Sequence, residues 1–368
     1  MSQAEILPVL KASVHDVRYF SALLRGVNFA NRATVTVTEK GLLVVVEESR
    51  TLLGTAYIFS DVFDEFIYNP ETPENKGSQP EQPTDEEELV SAFEIPLNNL
   101  LELLNIFGTA GGSVSAKHGR FKAWQKPGDE LDDDDSDGGG EGEGDQQEGR
   151  ANKKKSGQFF GSGSERKTGM RLTYIGPGYP LTVIVAEDAT GPTTTCEIAT
   201  FDAESHLELP FDSEQMVLKI ILKSSWLRDA LSELDPSCDK LTFIGNPASE
   251  PDAGLHPVKQ RRIRMQDAPN FRIEATGTFG NTEMDYPNDR DVLESFECET
   301  PVKFSYRFSH IARTIRALQT SVKTSLRIDN EGLLSLQFLM PTPVSRMHQG
   351  KGTSNFIEFR CLALEEDA

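Results

Sequence analysis

The chain lacks the short motifs by which metalloproteins and nucleotide-binding enzymes are most often recognised. Its four cysteines (Cys196, Cys238, Cys298 and Cys361) form no CxxC pair, and its six histidines show no ligand spacing. We therefore expect neither a disulfide framework nor a structural zinc site, but a reduced intracellular protein. No GxxxxGK[ST] sequence occurs, which excludes a P-loop nucleotide site.

Long hydrophobic runs are also missing. No apolar stretch reaches the length that spans a bilayer, and the N-terminal residues do not read as a signal peptide, so neither a membrane protein nor a secreted one is expected. With 368 residues, the chain is long enough for two domains, each with its own core.

Most of the net charge of −21 lies in two segments. Residues 129–149 hold eleven acidic residues and no Lys or Arg, and residues 71–88 hold seven acidic residues and one Lys. Without these two runs the net charge is −4, so the folded body is nearly balanced. We predict disordered acidic inserts at 70–88 and 109–167, which are dispensable for folding, and a further proline-rich insert at 246–268.

One amphipathic helix pattern occurs four times. Apolar residues at relative positions 0, 3, 7 and 10 lie on one stripe of an α-helix, and each stripe follows a short strand-like run. The pattern therefore indicates a repeated strand–helix unit. The stripes are Val17, Phe20, Leu24 and Val27; Leu97, Leu100, Leu104 and Phe107; a shorter one at Leu227, Ala230 and Leu234; and Phe308, Ile311, Ile315 and Leu318.

A shift of 291 residues lays the first copy on the fourth. The two helix stripes coincide, and residues 34–43 fall on residues 325–334, both of which read as strand, glycine turn and strand. A helix and a hairpin that match at one offset indicate an internal repeat. Strands outnumber helices, and each helix joins a strand to a meander. We therefore predict an α+β fold with antiparallel sheets and helices on one face.

Basic residues lie beside three of the four stripes. Such cations suit contact with the phosphate backbone of DNA, which does not depend on base sequence, although Lys and Arg also serve simply to solvate a helix. The second helix has Asn98, Asn99, Glu102 and Asn105 instead and is expected to contact DNA weakly. The predicted DNA-facing residues are Lys11, Arg18, Arg25, Lys223, Arg228, Arg313 and Arg316.

Carboxylates do not form a pattern typical of a nuclease. Asp202 and Glu204 lie in a predicted linker, and Asp61, Asp64 and Glu65 lie at a predicted turn. A nuclease with paired metals needs acids that converge at strand ends. We therefore assign no catalytic residue, metal or cofactor.

Five stretches, taken in order, resemble a known family. They are similar to the Rad-one subunit of the nine-one-one (Rad-nine/Hus-one/Rad-one) DNA-damage checkpoint clamp, which belongs to the PCNA-like sliding clamps. The resemblance extends over nearly the whole chain outside the inserts. The stretches are Gly178–Leu181, Ser232–Asp235, Thr278–Asn281, Asp285–Pro287 and Asp329–Gln337.

The resemblance implies a two-domain subunit of a ring, with helices lining the hole and antiparallel sheets outside. The domains would be residues 1–200 and 215–368, each with two strand–helix–meander units, joined by an interdomain connector at 201–214. Edge strands near 193–199 and 281–286 would pair with neighbouring subunits. Partner peptides would dock beside the connector, at Leu207, Leu209 and Phe211.

The resemblance also implies a function. The chain would be a non-catalytic, nuclear subunit of a heterotrimer with Rad-nine-like and Hus-one-like partners. An ATP-driven clamp loader would place the ring on double-stranded DNA, where it recruits checkpoint-signalling and repair factors. A metal-dependent 3′→5′ DNA exonuclease and a homotrimeric replication clamp are the alternatives.

Overall fold

A computed structural model describes residues 7–70, 90–106, 168–186, 192–247, 269–341 and 355–365. The described residues all belong to one compact unit. The predicted insert at 109–167 lies outside them, as do nearly all residues of the inserts at 70–88 and 246–268. Among the described residues, no helix is long and apolar enough to cross a membrane.

The described chain alternates short helices with antiparallel strands. The elements are β1 (Leu10–Val14), α1 (Val17–Gly26), β2 (Arg32–Thr38), β3 (Gly41–Glu48), β4 (Leu52–Phe59), a 3₁₀ turn (Ser60–Val62), β5 (Glu65–Tyr68), β6 (Ser91–Pro96), α2 (Leu97–Ile106), β7 (Gly169–Tyr174), β8 (Leu181–Ala186), β9 (Thr193–Ile198), β10 (Phe201–Asp202), β11 (Met216–Lys223), α3 (Ser224–Glu233), β12 (Cys238–Gly245), β13 (Phe271–Gly277), β14 (Gly280–Tyr286), β15 (Leu293–Glu297), β16 (Val302–Arg307), α4 (Phe308–Arg313), α5 (Ile315–Thr320), β17 (Lys323–Asp329), β18 (Leu334–Leu339) and β19 (Phe356–Cys361).

The strands form three sheets. The N-terminal sheet has the order β5-β1-β7-β8-β9, and the C-terminal sheet has the order β14-β13-β12-β16. The long sheet has ten strands in the order β10-β6-β2-β3-β4-β19-β18-β17-β11-β15 and so draws on both predicted halves of the chain. The pairing of β4 with β19 joins the two sets of strands. The division into domains at 1–200 and 215–368 stays a prediction.

The helices form a row on one face of the long sheet. Along this helix row, α2 packs against α1, α1 against α5, and α5 against α3, while α2 lies on β2, α1 on β4 and β19, and α3 on β11. The first helix begins after Asp16, whose carboxylate accepts the backbone N–H of Arg18 at 3.1 Å and so satisfies one of the free donors at the helix end.

The two copies related by the 291-residue shift meet at equivalent positions of α1 and α5. A Cβ added to Gly26 would lie 3.5 Å from the Cβ of Ala317 and 2.3 Å from Cδ1 of Ile357 on β19. Glycine therefore lets α1 approach both the neighbouring helix and the sheet. Under the shift, Gly26 corresponds to Ala317, so the two predicted copies pack against each other at equivalent residues.

The predicted fourth helix is interrupted. Phe308 and Ile311 are buried as expected, but the backbone N–H of Thr314 bonds to the carbonyl of Ile311 at 3.0 Å, three residues back, and its hydroxyl donates to the same carbonyl at 2.7 Å. This tighter turn separates α4 from α5. As a result Thr314 and Ala317 are buried while Ile315 is only partly buried.

Candidate nucleic-acid interface and connector

Two of the predicted DNA-facing residues lie together at the centre of the helix row. Arg25 and Arg316 directly precede Gly26 and Ala317, which are in contact. Arg25 donates to the side-chain oxygen of Asn105 on α2, and burial lowers the pKa of its guanidinium below its usual value.

Arg316 donates to the backbone carbonyl of Asn28 at 2.8 Å and is exposed. Across the described residues no carboxylate pairs with Arg316, so its charge is available to a phosphate.

Three other predicted cations are held by carboxylates. Arg18 makes bonds of 3.0 and 2.7 Å to Asp16, and Arg228 makes an ion pair of 2.8 Å with the neighbouring Asp229. Arg313 donates two hydrogen bonds of 3.0 Å to the carboxylate of Glu48 on β3. Each would exchange part of this pairing for a phosphate, so its net gain on DNA is smaller. The Arg228–Asp229 pair is the most exposed of the three, and an exposed ion pair contributes little to stability.

Lys223 and Lys11 differ from the rest. Lys223 is exposed, ends β11 and directly precedes α3, with no ion pair to any other residue that the structure describes.

Lys11 lies on β1 rather than on a helix, and its amine bonds to Glu65 of β5 at 2.7 Å, which holds the pKa of that carboxyl below its usual value. Because Lys11 alternates with the buried Leu10 and Ala12, it is on the far face of the N-terminal sheet from the core. The structure therefore does not bring Lys11 to the helix row.

The connector lies on the opposite face of the long sheet from the helices. Ile357, which touches α1, pairs with Ala56, and Ala56 pairs with Val44 on the next strand. Val44 therefore lies on the same face as the helices, whereas the connector packs on the neighbouring Val45. Successive residues of a strand point to opposite faces, so the helix row and the connector flank the sheet. The connector begins with β10, which pairs with β6.

The three predicted connector residues all contact this sheet. Leu209 is buried in a cluster with Val45, Leu53 and Leu333, and Leu207 and Phe211 pack against the cluster partly buried. The backbone N–H of Leu207 also donates to Glu47 of β3 at 2.8 Å. These side chains thus hold the connector down. Their role beside a partner peptide stays a prediction.

A buried carboxylate lies beneath the connector. Glu358 of β19, only 3% exposed, accepts bonds from Ser335 at 2.7 Å, Arg327 at 3.1 Å and Arg360 at 3.0 Å. We call these four residues the Glu358 network. Burial alone would raise the pKa of Glu358, but Arg360, Ser335 and Arg327 together outweigh it and hold the pKa below its ordinary value.

Two residues of the Glu358 network also contact the connector. Arg360 donates to the carbonyl of Leu209 at 2.7 Å, and the guanidinium of Arg327 lies 4.8 Å from the ring centre of Phe211. Sequence reasoning missed this network. The one sequence feature that points to it is the strand Phe356–Cys361, in which a glutamate and an arginine alternate with apolar residues.

A polar cavity of about 310 Å³ lies between the start of the connector and the long sheet. Arg32 of β2 bonds to Glu94 of β6 at 3.2 Å on its wall, and Glu94 also accepts the backbone N–H of Glu204 at 3.1 Å. Most of the side chains that line it are polar or charged, and two of them, Arg32 and Glu94, pair with each other. Among the described residues, no group of three or more His, Cys, Asp or Glu is arranged to hold a metal ion.

The two predicted edge strands are edges in the structure. β9 ends the N-terminal sheet beside β8, and β14 ends the C-terminal sheet beside β13. Each pairs on one side only among the described residues, which leaves a row of backbone donors and acceptors able to pair with another strand.

Comparison with known proteins defines the class first. The fold matches a crystal structure of proliferating cellular nuclear antigen from Entamoeba histolytica, with a TM-score of 0.57 over 97% of this chain and 100% of that one, at 13% sequence identity. The sheets and helix row are thus those of a PCNA-like clamp, which confirms the predicted fold class.

The family follows from the sequence. The chain belongs to the family described as repair protein Rad1/Rec1/Rad17, whose family model matches residues 9–340. This confirms the resemblance to the Rad-one subunits.

Relatives cover nearly the whole chain. The mouse cell cycle checkpoint protein RAD1 is 29% identical over 357 residues, which are 97% of this chain and 93% of that protein. The DNA damage checkpoint control protein rad1 of Schizosaccharomyces pombe is 26% identical over 97% of this chain and 87% of that protein. The DNA repair exonuclease REC1 of Mycosarcoma maydis is 24% identical over 98% and 97%.

Proposed function

We propose that this chain is a non-catalytic subunit of a heterotrimeric DNA sliding clamp that acts in the DNA-damage checkpoint. The observation that carries the proposal is the helix row on one face of a sheet that runs through both halves of the chain. In a clamp this row faces DNA, and Arg25, Arg316 and Lys223 supply phosphate contacts without base readout. The names of the checkpoint relatives support the setting.

The proposal includes the partners. Two related clamp subunits, Rad-nine-like and Hus-one-like, pair with the edges β9 and β14, and an ATP-driven loader places the ring on double-stranded DNA in the nucleus. Checkpoint-signalling and repair proteins dock peptides beside the connector, which the Glu358 network holds on the sheet. The domains are residues 1–200 and 215–368, with the connector at 201–214.

Reconstitution on DNA tests the proposal. The chain is mixed with the two related subunits and a loader, placed on nicked circular DNA, and followed through gel filtration. We expect a one-to-one-to-one complex that stays on the circle and leaves when the DNA is cut, because a ring is held by topology rather than affinity. A stable homotrimer of this chain alone, or retention that cutting does not affect, would contradict it.

The exonuclease alternative has one relative in its favour, REC1, through its name. A preparation of the pure chain with Mg²⁺ or Mn²⁺ and a 3′-labelled duplex decides between the two. We expect no release of label above that of a matched mock purification. Metal-dependent release that follows the protein through purification, and that acid-to-amide substitutions abolish, would favour the enzyme.

A further inference from the structure

The turn that leads into β14 carries an aromatic residue with no role in the fold. Phe279 occupies the two-residue turn between β13 and β14, across which Gly277 pairs with Gly280, and its side chain is 86% exposed. Hairpin turns favour Gly, Asn and Asp for their backbone conformations. A phenylalanine there is left almost fully exposed by the described chain.

A second exposed aromatic residue stands near the other end of β14. Trp226 of α3 is 46% exposed, and its backbone carbonyl accepts a hydrogen bond from Tyr286, the last residue of the strand, at 3.4 Å. Aromatic residues are enriched in the cores of protein interfaces, where a few of them carry most of the binding energy. The open edge of β14 therefore lies between two such residues.

The exposed face of β14 is acidic. Glu283 and Asp285 lie on the face opposite the buried Tyr286, and both are bonded by one residue of β13, Arg272, at 2.9 and 3.0 Å. One guanidinium cannot neutralise two carboxylates, so the strand keeps a net negative charge. A strand that pairs here meets this charge directly.

The other edge strand, β9 of the N-terminal sheet, cannot complement that charge. On β9 the exposed face holds Thr193, Thr195 and Glu197, with no cation on the strand. The nearest cation in register on that face is Arg171, two strands inward on β7. If a second copy placed its β9 on β14, Glu197 would approach Glu283 and Asp285, and like charges on facing strands are destabilising.

We propose that β14, with Phe279 and Trp226, docks the edge strand of a related but non-identical clamp subunit whose facing positions are basic. Glu197 excludes a second copy of this chain from the same place. The inference rests on the proposed clamp function and adds the basis on which the ring selects its members. It makes the acidic edge a device for partner choice as well as for binding.

A single charge change on β9 tests this without any other protein. Glu197→Lys alters an exposed residue that has no ion pair among the described residues, so folding is preserved. It turns the facing charges of two copies from repulsive to attractive. We expect sedimentation equilibrium at low salt to show self-association strengthened by roughly tenfold over the unchanged chain. The gain should disappear in high salt, which screens exposed charges.

Two matched variants locate the effect. In the Glu197→Lys background, Glu283→Gln with Asp285→Asn should remove the gain, and Phe279→Ser should remove it while leaving all charges in place. No gain from Glu197→Lys, or a gain that survives these changes, would overturn the proposal. That result leaves the clamp function standing if the ring still forms on DNA with two related subunits, whereas a stable homotrimer of the unchanged chain rejects both.

Discussion

Replacing Glu358 by Gln should destabilise the protein through the charges that the carboxylate now balances. The substitution keeps the shape of the side chain and one acceptor for Ser335. It removes the negative charge between Arg327 and Arg360, whose side chains are only 18% and 27% exposed. Two partly buried guanidinium groups are then left facing each other.

The size of the effect follows from that burial. Breaking a fully buried ion pair by removing one member costs about 3–5 kcal/mol. Because water reaches both arginines in part, we expect Glu358→Gln to lower the free energy of unfolding by about 2–3 kcal/mol at neutral pH.

The pH dependence has a definite sign. The pKa of Glu358 in the folded protein lies below its ordinary value of 4.5. The unfolded state therefore takes up the proton first as pH falls. The stabilisation is fully present above about pH 4.5 and is lost as pH falls through the folded pKa. The difference between the unchanged chain and Glu358→Gln should thus be largest near neutral pH and shrink in acid.

Urea unfolding at several pH values measures this difference, and hydrogen exchange of the connector reports the local effect. The amides around Leu209 and Phe211 should exchange faster in Glu358→Gln, because Arg327 and Arg360 lose the carboxylate that orients them. Glu233→Gln, an exposed change at the end of α3, is the matched control. Equal stability of the variant at neutral pH, or a difference that does not shrink in acid, would refute the reasoning.

Two further predictions concern the helix row. The double variant Arg25→Glu with Arg316→Glu should weaken DNA binding by the assembled ring. The slope of log K against log salt should fall in magnitude by about 2, because each phosphate contact contributes about 0.9. Lys303→Glu, on the C-terminal sheet, is the control, and an unchanged slope in the double variant would show that the helix row does not face DNA. Gly26→Val should lower the free energy of unfolding, measured in urea, by about 1–3 kcal/mol. Adding Ile357→Val, which deletes the Cδ1 that the new side chain would meet, should restore part of this stability. No recovery would contradict the packing argument.

Much of the fold was predictable because it depends on local periodicity. The stripes at Val17, Leu97 and Leu227 begin or lie within real helices, and the hairpin at residues 34–43 is β2 and β3. The break at Thr314 was not predictable from apolar spacing. It arises from a hydroxyl group that bonds to the backbone, which a pattern of hydrophobic residues does not record.

The candidate site was predictable only in part, because charge pairing is a long-range property. The sequence places Arg313 and Arg316 on a polar helix face. It cannot show that Arg313 meets Glu48 across 265 positions of chain, or that Arg316 reaches Asn28 across 288. The sequence also groups Lys11 with the helix cations, whereas the structure places it on β1, where its amine bonds to Glu65.

The pairing of β4 with β19 has a consequence for the order of synthesis. β4 (Leu52–Phe59) finds its first neighbour, β3, within a few residues, but its second neighbour is made about three hundred residues later. Until Phe356–Cys361 has left the ribosome, β4 and β18 each present an open edge in what will be the middle of the long sheet. Such edges invite pairing with other chains. The nascent protein therefore keeps β4 open while about three hundred residues are made, and the middle of the long sheet closes only when β19 pairs with it.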